Sequence, residues 1–166
     1  IRNDLQNTFA FPNAMSGKKV TLREAIGDII EKPRFFNEGK VMSEHPTRKN
    51  HDVYTGSYDA KYMARNRVRS WNEQSFTIQA QARNEPQHPQ APKMTYISSD
   101  KRIFAKGYEL LYRRLSVREC ARIQTFPDSF VFIYTDIKNG YKMVGNAVPP
   151  RLAYAIAIQI RNALPQ

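Results

Sequence analysis

The sequence predicts an α+β fold: two capping boxes and a double proline mark short helices, and alternating apolar segments of strand length lie between them in no regular order. At 166 residues the chain is one domain, or part of a larger one. The first helix opens at Thr21, whose hydroxyl can take the N–H of Glu24 while the Glu24 carboxylate reaches back. Leu22, Ile26, Ile29 and Ile30 then recur at helical spacing until Pro33. Residues 33 to 50 are polar and aperiodic and read as an irregular loop. Residues 74 to 80, QSFTIQA, alternate in the manner of a half-buried strand, and 84 to 93, with three prolines in ten residues, form a second loop. KMTYI at 93 to 97 and FVFIY at 130 to 134 are further strand candidates.

Ser116 and Glu119 make the second capping box, flanked by Leu115 and Cys120 as a hydrophobic staple, and FPD at 126 to 128 closes that helix. Cys120 is therefore a buried structural thiol. Pro149 and Pro150 suit the first turn of a third helix, with Leu152, Ala153, Ile156 and Ile160 on one apolar face.

Composition narrows the class. Hydrophobic residues make up 41% and the mean hydropathy is -0.63, and no apolar run approaches the roughly 18 residues of a membrane span. No membrane association is expected. Ile1 stands where a natural start would have Met, without the basic and apolar regions of a signal peptide, so the expectation is a cut chain. A single cysteine excludes an internal disulfide, and His45, His51 and His88 are too scattered for a zinc site, which together suggest a cytoplasmic protein without a structural metal. His88 reads as a hydrogen-bonding loop residue.

The net charge of +11 and a pI near 9.9 point to a polyanionic partner. Its location is more informative. Residues 61 to 83 hold Lys61, Arg65, Arg67, Arg69 and Arg83 against Glu73 alone, interleaved with Trp71, Phe76, Gln79 and Gln81. Residues 101 to 122 hold seven basic and two acidic residues, whereas the first sixty hold nine against eight. Basic clusters with interleaved aromatics favour nucleic acid over a merely solvated face.

RRLSVRECARIQTFPDSF at 113 to 130, followed by GYKMVGNAVPPRLAYAIA at 140 to 157, resembles motifs nine and ten of the DNA (cytosine-5)-methyltransferases. IRNDL at 1 to 5 resembles the end of motif eight, and residues 65 to 94 are similar to the recognition region of bacterial members that modify GGCC. The resemblance implies three parts: residues 1 to 110 as the end of motif eight and the target recognition region, 111 to 139 as motif nine, and 140 to 166 as motif ten with the C-terminal helix. It also implies a small recognition domain of short strands and loops, whose C-terminal helical segment packs on a separate Rossmann-like catalytic domain. The family's Phe-x-Gly-x-Gly cofactor loop, Pro-Cys loop and Glu-Asn-Val motif do not occur in this sequence. The chain thus resembles the C-terminal part of such an enzyme, expected to methylate cytosine C5 with S-adenosyl-L-methionine only together with its N-terminal catalytic part. The alternative is a free-standing, non-catalytic DNA-binding regulatory module.

The expected partner is double-stranded DNA with its target base flipped out. Arg67 and Arg69, two apart, would share one face of an extended segment and could each donate a guanidinium fork to guanine O6 and N7; anchoring to phosphate is the other reading. Arg83 and Gln79 are further candidates for either role. Thr77 reads from spacing as a strand threonine, while the resemblance implies that its hydroxyl holds the phosphate beside the flipped cytosine. Arg114, Arg118 and Arg122 form an i, i+4, i+8 stripe, to which the resemblance gives a packing and salt-bridge role. By the same resemblance Asn146 and Ala147 contact the methionine carboxylate of the cofactor, Ala147 through its backbone only, near a helix N-terminus whose dipole favours anions. The apolar helix face beyond them suggests a homodimer when the catalytic part is absent.

Overall fold

A computed structural model describes residues 9–13, 19–36 and 48–164, so the resemblance at residues 1 to 5 and the placement of His45 lie outside the described residues. Both capping boxes form. Thr21 Oγ1 accepts from Glu24 N, and Glu24 Oε2 accepts from Thr21 N at 2.8 Å, opening α1 (Leu22–Ile26). The helix stops at Gly27, short of Pro33, because glycine and Asp28 do not propagate it. Leu22 and Ile26 are buried, whereas Ile30, expected on the same face, is 89% exposed because the helix has ended before it. Ser116 opens α3 (Val117–Ile123) in the same way, with Leu115 and Cys120 both buried beside it.

The loop expected over 33 to 50 contains a strand. β1 (Arg34–Phe36) pairs in parallel with β2 (Asp52–Tyr54), a wholly buried strand that periodicity does not reveal in three residues. A short helix, α2 (Ala60–Met63), is capped by Asp59. The expected strand at 93 to 97 appears as β3 (Thr95–Ser98), antiparallel to β4 (Lys101–Ile103) with an irregularity between Tyr96 and Ser98.

Segments 74 to 80 and 130 to 134 form no strand, contrary to expectation. Their alternation is real: Ile78, Phe132 and Tyr134 are buried and Ile133 is 83% exposed. Side chains, however, take the place of a neighbouring strand. The Asn50 carboxamide accepts from Phe132 N and donates to Phe132 O at 2.9 and 2.8 Å. An unpredicted helix, α4 (Ile137–Asn146), follows under an Asp136 cap and buries Ile137, Tyr141 and Val144 in the main core with α1, α3 and β2.

The arginine stripe faces inward. Arg114 donates to the carbonyls of Arg83, Tyr54, Gly56 and Ser57, and Arg118 to those of Lys49, Pro127 and Phe130. Arg122 pairs with Asp28 and Asp128. Thr125, just past α3, has φ +68, unusual for a β-branched residue, and its hydroxyl accepts the N–H of Arg151 at 3.1 Å. That bond ties the end of α3 to the start of α5 (Pro150–Ala163). None of the α5 residues is buried; Leu152, Tyr154 and Ile160 are exposed.

Candidate nucleic-acid interface

The first basic window folds around a cleft. Val68 is buried and bridges Gln87, so Arg67 and Arg69 lie on the opposite, outer side of an extended segment. Arg67 stacks over the Tyr62 ring, 4.7 Å from its centroid, and its Nε donates to the Tyr62 carbonyl at 3.1 Å. Arg69 lies 4.3 Å over the Phe76 ring and donates to Glu73 Oε1 at 3.0 Å. Arg67 also donates from Nη2 to the Lys61 carbonyl at 3.5 Å, so aromatic stacking with two donors on Arg67 and one on Arg69 restricts each guanidinium before any ligand arrives.

The cleft itself, about 190 Å³, is lined by Arg65, Asn66, Arg67, Phe76, Thr77, Gln79, Asn84 and Pro86. It unites Arg67, Thr77 and Gln79. Thr77 and Gln79 are exposed, and among the described residues their side chains have no hydrogen-bond partner. Arg69 does not line it, and Arg83 lies in a neighbouring depression with Lys138, Asn139 and Lys142. Asn66 and Asn84 are lining residues that sequence reasoning missed, and Arg65 stood out there only as a member of the basic window. Asn66 shapes the wall, accepting from Met94 N and donating to Val68 O at 3.0 and 2.7 Å.

Behind the cleft lies a buried polar layer. The Tyr62 hydroxyl donates to the Glu85 carbonyl and accepts from Gln87 Nε2, both at 2.8 Å. Burial raises the Glu85 carboxyl to about 8, against the pull of the Cys120, Gln79 and Arg114 groups beside it. Burial likewise pushes the Cys120 thiol up, which leaves it a poor nucleophile. His88 is lowered to about 4 by burial, Glu119 opposing, and its Nδ1 accepts from Gln90 N at 3.2 Å. Thus His88 is a neutral loop residue. Among the described residues no group of His, Cys, Asp or Glu is placed to hold a metal.

Asn146 ends α4 and is exposed; Ala147 caps it, its N–H bound to the Val144 carbonyl at 3.2 Å. The free N–H groups expected at the next helix are reduced, since Pro149 and Pro150 have none and that of Arg151 goes to Thr125. The exposed Asn146 carboxamide is a donor available for a carboxylate, which fits part of a cofactor site; Ala147, its N–H already bound, has its carbonyl to offer.

The chain belongs to the C-5 cytosine-specific DNA methylase family, whose pattern it matches over residues 1–162. It is 51% identical over 163 residues to the type II methyltransferase M.MthTI of Methanothermobacter thermautotrophicus, covering 98% of this chain and 49% of that protein. To M.FnuDI of Fusobacterium nucleatum it is 46% identical, covering 99% of this chain and 48% of the relative. A stretch of 52 residues, 31% of this chain and 4% of the relative, is 54% identical to DNA (cytosine-5)-methyltransferase 3 of Arabidopsis thaliana. The chain spans about half the length of the two type II relatives. Among the described residues no helix is long and apolar enough to cross a membrane.

Proposed function

We propose that this chain is the DNA-recognition and cofactor-site-completing part of a restriction-modification cytosine-5 DNA methyltransferase, acting within a GGCC-like site together with an N-terminal catalytic part. The observation that carries this reading is the cleft that gathers Arg67, Thr77 and Gln79, in a chain about half as long as its type II relatives. Arg67, stacked on Tyr62 with Nε occupied, presents its outer edge to guanine O6 and N7. Arg69 reads or anchors beside it, Thr77 offers a hydroxyl to a phosphate, and Gln79 and Arg83 flank them. S-adenosylmethionine supplies the methyl group. Asn146 orients its carboxylate end, with Ala147 alongside.

The isolated chain is expected to transfer no methyl group from labelled S-adenosylmethionine to a GGCC duplex, and adding the catalytic part is expected to restore transfer. Incorporation by the chain alone, above a boiled control, overturns the proposal. Duplex binding that persists without restored transfer favours the non-catalytic regulatory module instead.

In the reconstituted enzyme, Arg67→Ala and Arg69→Ala are each expected to reduce discrimination between GGCC and single-base variants by roughly one to two orders of magnitude. Equal weakening on every duplex would make both residues phosphate anchors, contributing about 0.9 each to the salt slope.

The exposed α5 face is expected to drive self-association of the isolated chain, since burying Leu152, Ile156 and Ile160 is worth on the order of several kcal/mol. Sedimentation should show a dimer that Ile156→Glu and the catalytic part each dissolve. A monomer with and without Ile156→Glu removes this proposal.

A further inference from the structure

The segment that carries Thr77 and Gln79 is gripped by two residues that do not line the cleft. On one side Glu85, fully buried, accepts the Gln79 N–H on Oε1 at 3.1 Å and the Cys120 S–H on Oε2 at 3.5 Å. Its own carbonyl is held by the Tyr62 hydroxyl at 2.8 Å, so the residue is fixed at both its side chain and its backbone. On the other side stands Gly145, in the last turn of α4. A Cβ placed there would lie 2.5 Å from Ala80 N and deeper still inside the Gln79 carbonyl. Both are backbone atoms, and no rotamer change can clear them. The contact is therefore backbone against backbone, possible only without a side chain.

We propose that Gly145 and Glu85 are positioning residues for DNA reading: the bare Cα of Gly145 seats α4 against the Gln79–Ala80 backbone, and the Glu85 carboxyl ties down Gln79 N–H. The helix end bearing Asn146 and the segment bearing Thr77 and Gln79 then keep one register. Exposed side chains on a segment outside any strand need such support, because a shift of about 1 Å in a positioning group can cost 100-fold in rate. The inference rests on the reading of the cleft as the DNA-recognising surface.

The test uses the complete methyltransferase, this chain together with its catalytic part, and compares kcat/KM on a GGCC duplex with that on a single-base variant. Gly145→Ala is expected to lower the ratio about tenfold or more. Gly140→Ala is the matched control: it lies in the same helix, and its Cβ would meet the Tyr134 ring at 2.7 Å, away from the reading segment. It is expected to change stability and leave the ratio within about twofold. Glu85→Gln keeps an oxygen for the Gln79 N–H and should retain the ratio, whereas Glu85→Leu should lose it; this pair decides the matter if Gly145→Ala does not fold. A wild-type ratio in Gly145→Ala, an equal loss in Gly140→Ala, or identical behaviour of the two Glu85 variants overturns the proposal. An unsubstituted enzyme that methylates both duplexes alike overturns the reading of the cleft, and this inference with it.

Discussion

Arg114→Ala is expected to destabilise the chain by about 4 kcal/mol, a large share of the roughly 5 to 15 kcal/mol that holds a domain together. The guanidinium is 1% exposed, stacks 4.1 Å over the Tyr58 ring and donates to four carbonyls contributed by residues 54, 56, 57 and 83. Truncation leaves those acceptors unsatisfied in a dry space, at about 1 to 3 kcal/mol each where water cannot enter, and opens a cavity as well. Arg114→Lys should recover little, because one ammonium cannot reproduce the fork. Urea titration reads the effect directly. A shift below about 1 kcal/mol would show that the carbonyls find other donors.

Stability should also change with pH in opposite senses through two buried carboxyls. Burial alone would raise Glu119, but the charge and paired hydrogen bonds of Arg113, both 2.8 Å, hold it at about 2. The folded state then binds this proton less tightly than the unfolded state, whose value is 4.5, so the contribution is full above 4.5 and disappears as the pH falls toward 2. It amounts to about 3 kcal/mol. Glu85 runs the other way: raised from 4.5 to about 8, its contribution is full below 4.5 and is lost as the pH rises to 8. His88, lowered from 6.5 to about 4, gains stability between those values and offsets Glu85 over part of that interval. A decline between pH 6.5 and 8 is therefore the signature of Glu85, and it should vanish in Glu85→Gln. Glu119→Gln should flatten the acid limb while lowering stability at neutral pH. A decline above pH 6.5 that survives Glu85→Gln would assign it to another group.

The elements legible in the sequence were those with local causes. Ser/Thr three residues before Glu marks a helix start wherever it occurs, and a proline pair marks another. The β1–β2 pair was hidden because its cause is tertiary: three residues at 34 to 36 find a parallel partner at 52 to 54. Asn139, Gly140 and Gly145 disguised α4, whose helicity comes from burying Ile137, Tyr141 and Val144 rather than from propensity. FVFIY and QSFTIQA alternate because one face is buried, yet Asn50 and Glu85 supply the partners that a strand would. In the site, charge and resemblance led to Arg67, Thr77 and Gln79, which the fold gathers in one cleft. They could not separate Arg69 and Arg83 from it, nor point to Glu85 and Gly145, whose importance lies in what they touch.

The inward arginines change what the basic composition means. Arg114 draws residues 54 to 57, 83 and 114 to one point, and Arg118 does the same for residues 49, 127 and 130, across sequence separations of up to 69 residues. In a chain with a single cysteine, these guanidiniums act as its long-range cross-links. They need no oxidant to form and no thiol reagent can cut them, so the fold keeps its ties in any redox environment. Two of the seven basic residues in the second window, Arg114 and Arg118, are accordingly masonry, their guanidinium forks already filled by backbone carbonyls.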